Sequence, residues 1–68
     1  MDTIKRVQDL MQERDMNLCV LAKKCGISYS TIQTTARRGG QLSVETIERI
    51  CLGLGITLKD FFDSSYLY

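Results

Sequence analysis

Histidine, proline and tryptophan are absent from this chain, and no apolar run exceeds a few residues. Without histidine the commonest general base and the commonest metal ligand are both missing. Without proline nothing rigidly interrupts the backbone, which suits a protein built wholly of helices. A bilayer-spanning helix needs roughly 20 consecutive apolar residues, so no transmembrane segment is predicted. Asp2, Lys5, Arg6, Asp9, Glu13, Arg14 and Asp15 leave no room near the start for the apolar centre of a secretory signal. A cytoplasmic location is therefore expected. Cysteine is scarce as well. Cys19, Cys25 and Cys51 are odd in number and form no CxxC pair, and a zinc site would lack its fourth ligand. All three are expected to be small buried apolar residues, with a disulfide or a metal cluster as the less favoured alternatives.

The 68 residues, 44% hydrophobic and 25% charged, describe a globule and not a disordered chain. At this length one domain, residues 1–68, is expected, with a core just large enough to offset chain entropy. A deep catalytic cleft does not fit into such a volume. No enzyme, cofactor, metal or small-molecule substrate is expected.

Net charge is only +1, but its distribution is uneven. Between Asp15 and Glu45 stand Lys23, Lys24, Arg37 and Arg38 without a single acid, which gives that window +4. The rest sets Lys5, Arg6, Arg14, Arg49 and Lys59 against eight acids, which leaves −3. A basic third on a mildly acidic molecule is the asymmetry of a protein that turns one face to phosphates. Chance clustering in a short chain is the competing explanation.

Period and punctuation predict five helices and an all-α fold. The first runs from about Thr3 to Arg14, with Ile4, Val7, Leu10 and Met11 on one face and charge on the other. Asn17 caps a short second helix that Gly26 ends. Ser28 caps a third, which extends to about Arg37 before Gly39 and Gly40. Ser43 caps a fourth, ended by Gly55. Thr57 caps a fifth, running to about Asp63, with Asp60 as its capping-box partner. An apolar residue precedes four of these caps and another stands four positions into each helix: Met16 with Leu21, Ile27 with Ile32, Leu42 with Ile47, Ile56 with Phe61. Each pair fits a hydrophobic staple, which fixes how the chain enters a helix. Residues 64–68 receive no assignment.

The stretch from Leu21 to Arg38, LAKKCGISYSTIQTTARR, reads as helix, tight turn and second helix. Ala22 is small enough to let the two helices lie close, Gly26 permits a positive φ, and Ile27 and Ile32 turn inward. This segment, the charged first helix and the closing SVETIERICLGLGITLKDFFD together resemble the Cro and lambda-repressor-like helix-turn-helix regulators of the xenobiotic-response-element type. The resemblance covers nearly the whole chain. It implies a compact five-helix domain whose helix-turn-helix spans about residues 17–37, and a regulator that binds double-stranded DNA. Two stretches depart from the pattern: Leu18 stands where many members carry a glutamine that helps clamp a phosphate, and RRGGQLS replaces a loop usually containing asparagine, glycine and proline.

If the helix after Ser28 is the recognition helix, a period of 3.6 turns Tyr29, Ser30, Gln33, Thr34 and Arg37 outward and Ile32 and Thr35 inward. The outward stripe is polar and free of acids, which suits the donor and acceptor edges of bases. Gln33 is the first candidate for base readout, through a bidentate pair with adenine. The resemblance implies base contacts at Tyr29, Ser30 and Thr34 also, the last against a thymine methyl. Thr31 and Asn17, at helix N-termini, are candidates for phosphate, as are Arg37, Arg38 and, with lower rank, Lys23 and Lys24. Plainer roles compete: Tyr29 covering the turn, Ser28 as a cap only, and Arg37 and Arg38 as a solvated helix end. A homodimer on a two-fold operator is expected, with Tyr66, Leu67 and Tyr68 as a candidate dimer contact. The alternative is an interaction module or antitoxin-like adaptor that keeps the fold without binding DNA.

Overall fold

The computed structural model describes residues 2–63. Five helices follow one another: α1 (Thr3–Glu13), α2 (Leu18–Cys25), α3 (Tyr29–Arg37), α4 (Val44–Leu54) and α5 (Leu58–Phe62). There is no strand among the described residues. The all-α reading holds, and each helix start falls where its cap residue places it. The unassigned residues 64–68, and with them the suggested dimer contact, lie outside the described residues.

Four of the five caps bond through their side chains: Asp2 to Lys5, Asn17 to Val20, Ser43 to Thr46 and Thr57 to Asp60. At Thr57 the bond is reciprocated by the Asp60 carboxylate, the full capping box. Ser28 is the exception. It occupies the cap position of α3 but makes no capping bond. Its hydroxyl lies 2.9 Å from that of Ser30 instead, so the expectation that Ser28 is a cap and nothing more needs correction.

The helix ends repeat one device. The amides of Met16, Ile27, Gly40 and Ile56 bond back to the carbonyls of Met11, Ala22, Thr35 and Cys51, each at 3.0 Å. In each case the preceding residue, Asp15, Gly26, Gly39 or Gly55, has positive φ. This is the Schellman closure, which satisfies carbonyls that the helix leaves orphaned. Met16, Ile27 and Ile56 thus end one helix and, as the outer half of a staple, begin the next. That double use allows turns so short.

The core holds Val7, Leu10, Leu21, Ile32, Ile47, Ile50 and Phe61, all almost wholly buried, with Leu42, Cys25 and Cys51 around them. Burying side chains of this size contributes about 1.5–3 kcal/mol each. Helix α2 packs chiefly on α4, and at Gly53 the two come close. A Cβ built there would stand 2.9 Å from Cys25 Cα and nearer still to Cys25 Sγ. Burial raises the pKa of the Cys25 and Cys51 thiols, with nearby Asp60 adding to the effect at Cys51. Cys19, in contrast, is exposed. The expectation of three buried thiols fails there because position 19 falls on the outer side of the first turn of α2, where Val20 is exposed as well.

Two polar clasps hold α1, and neither is visible as a periodic pattern. Thr3, fully buried, donates from its amide and hydroxyl to Gln41 Oε1 at 2.9 and 2.8 Å and accepts from the Leu42 amide at 2.9 Å. Arg6, only 8% exposed, donates to the carbonyls of Phe61 and Asp60 at 2.6 and 2.7 Å and pairs with Asp9 at 3.0 Å. A guanidinium at the end of α5 meets last-turn carbonyls, of which that of Asp60 also accepts from the Asp63 amide at 3.3 Å, and the negative end of the helix dipole. These contacts explain how so polar a residue is buried.

Candidate nucleic-acid interface

Helix α3 is held by few inward groups. Ile32 is its one buried residue, at 3% exposure, and Thr35 is half-buried, donating its hydroxyl to the Thr31 carbonyl at 2.9 Å. Gly26, with φ of 66°, makes the turn from α2, and Ile27 packs against the core cluster that includes Ile32. The remaining surface of α3 is open. Tyr29, Ser30, Thr31, Gln33, Thr34 and Arg37 are all exposed, as are Ala36 and the following Arg38. The outward stripe read from periodicity is therefore solvent-accessible along its length, and no acidic side chain belongs to it.

The stripe has internal order. Gln33 Nε2 donates to the Tyr29 hydroxyl at 2.8 Å, one helical turn away. Tyr29 does more than cover the turn, because its polar end is engaged along its own helix. Sequence reasoning named both residues and missed the bond, although an i, i+4 spacing of two hydrogen-bonding side chains was the available signal. Ser30, Thr31, Thr34 and Thr35 line a shallow hollow of hydroxyl groups on the same helix.

Electrostatically the surroundings are positive. Lys23, Lys24, Arg37 and Arg38 are exposed, and none makes an ion pair among the described residues. Arg49, which the sequence left in the acidic remainder, approaches the Gly26 carbonyl at 3.4 Å but is paired with Glu45 at 3.2 Å. Among the described residues the four cations of the acid-free window are thus free to meet an external anion, as is Lys59 outside it, which is exposed and makes no ion pair. Asn17 spends its Oδ1 on the Val20 amide, which leaves its Nδ2 as the group able to reach a phosphate. Leu18 is half-buried and packs on the core. It has no donor with which to clamp one.

No metal-binding cluster of histidine, cysteine or carboxylate residues occurs among the described residues, and no helix there is long and apolar enough to cross a membrane.

With this geometry in view, the comparison with known families is decisive. Residues 6–64 match the Cro/C1-type HTH DNA-binding domain. The chain belongs to that family. No curated protein and no solved structure matches it. As a Cro/C1-type domain it has its helix-turn-helix in α2 and α3, and the matched span runs from Arg6, which fastens α1 to α5, through α5 itself. DNA-binding transcription regulation is the function class of the Cro/C1-type domain.

Proposed function

We propose that this Cro/C1-type domain is a sequence-specific regulator that places α3 in the major groove of an operator and binds as a homodimer, one α3 per half-site. The observation that supports it best is an exposed, acid-free hydrogen-bonding stripe on α3 flanked by four cations with no internal ion pair. In this reading residues 1–68 act as one domain, Gln33, Tyr29, Ser30 and Thr34 meet base edges, and Arg37, Arg38, Lys23, Thr31 and Asn17 meet phosphates. Half-sites on such an operator lie about 34 Å apart, one helical turn.

Phosphate contacts release counterions, so affinity for a duplex falls steeply with salt. Selecting bound duplexes from a random pool should yield a two-fold site. Titrating that site at several salt concentrations should give a steep slope, shallower by about one in Arg37→Ala. Affinity indifferent to salt would support the interaction-module alternative instead. Sedimentation at micromolar concentration, free and with DNA, tests the dimer; a strict monomer in both states ends it.

A further inference from the structure

Gln33 and Tyr29 are both exposed and one turn apart on α3, and the Gln33 amide nitrogen donates to the phenol oxygen at 2.8 Å. A glutamine amide carries one acceptor oxygen and two N–H donors. With one N–H held by Tyr29, Oε1 and the second N–H remain to face outward. In the major groove adenine presents one donor and one acceptor, N6–H and N7, whereas guanine presents two acceptors, O6 and N7. The held amide matches adenine. Turned over, with the phenol donating to Oε1, it would offer two N–H groups and match guanine.

We propose that Tyr29 is a positioning residue that sets which purine Gln33 reads. The inference rests on α3 being the recognition helix, and it adds that discrimination at one base pair is decided by a side chain acting through its neighbour. Tyr29 also lowers the entropy lost when a long, flexible glutamine is ordered on a base. Its hydroxyl proton, not needed for the bond to Gln33, is left to water or to the edge of a neighbouring base.

Tyr29→Phe removes only the hydroxyl, which among the described residues has no partner other than Gln33, so the fold is kept. The selected duplex is used as probe, and the position whose preference vanishes in Gln33→Ala is the one Gln33 reads. At that position the unaltered protein prefers adenine to guanine. Tyr29→Phe reduces this preference about 3- to 10-fold, the scale of one positioning hydrogen bond, with melting temperature and salt slope unchanged. In the free protein, relaxation of the Gln33 side-chain amide shows it ordered, and freed by Tyr29→Phe. Guanine preferred at that position, or an adenine preference untouched by Tyr29→Phe, overturns the role of Tyr29 and leaves DNA binding standing. A protein with no base preference anywhere overturns the recognition-helix reading itself, and this inference with it.

Discussion

Adding one methyl group to Gly53 tests the packing of α4 against α2. In an isolated helix Gly→Ala stabilises by about 1 kcal/mol, because alanine loses less backbone entropy. Gly53 lies within α4, so propensity alone predicts a gain. The structure predicts a loss. The new Cβ would meet Cys25 at Sγ, at Cα (2.9 Å) and at Cβ (3.1 Å). The first could be relieved by a rotamer change, but the second is backbone and yields only if α2 and α4 separate. Overpacking of this kind costs about 1–3 kcal/mol, and contact with backbone puts Gly53 at the upper end. A net loss of about 1–2 kcal/mol follows, or a melting temperature lower by about 5–15 °C for a domain of this size. Thermal unfolding followed by far-ultraviolet circular dichroism measures it. In a double-mutant cycle Cys25→Ala removes the sulfur and leaves the Cα clash, so it should recover only part of the loss. A Gly53→Ala protein as stable as the parent, or more so, would refute the close approach of α2 and α4.

Asp15→Gly is expected to act in the opposite direction. Asp15 holds φ at 53° in the closure of α1, where the other three closures use glycine, and relief of that strain should raise stability by about 0.5–1 kcal/mol in urea unfolding. The caps supply a paired contrast: Asn17→Ala should cost about 1 kcal/mol, whereas Ser28→Ala, removing a hydroxyl with no capping bond, should stay within about 0.5 kcal/mol of the parent. Alkylation at neutral pH should modify Cys19 readily and reach Cys25 and Cys51 only on unfolding, as read by mass spectrometry. Because the native pKa values of those two buried thiols are raised, their contribution to stability is whole below the ordinary thiol value of about 8.5. It is lost as pH climbs from there through the raised native values, since the unfolded chain releases its protons first. A melting temperature rising across that alkaline range would contradict the burial of both thiols.

The parts of the fold written in local chemistry were legible in the sequence. Asn17, Ser43 and Thr57 announce helix starts, Gly26 and Gly55 announce ends, and the staple pairs tie the two together. The exposed stripe on α3 was legible for the same reason, since a period of 3.6 separates Ile32 from Gln33 and Thr34 whatever the rest of the chain does. What escaped was contact between distant positions. Arg6 looked like one more cation on a charged helix face, and only the end of α5, 55 residues on, gives it partners. Thr3 and Gln41 were similarly silent, as was the demand for glycine at 53, which depends on Cys25 across the helix interface. Asp15 was silent for a different reason, adopting a backbone conformation that glycine signals elsewhere in the chain.

The clasp between Arg6 and the last carbonyls of α5 also bears on how the molecule assembles. Bringing residues 6 and 61 together closes a far longer loop than bringing α2 to α4, and that entropy must be spent before the guanidinium returns anything. Helices α2 and α4 can therefore condense first, with α1 docking last. In native-state hydrogen exchange the amides of α1 should open at lower free energy than those of α2 and α4. The helix that faces outward for recognition would then sit on the segment that is earliest to form and latest to melt.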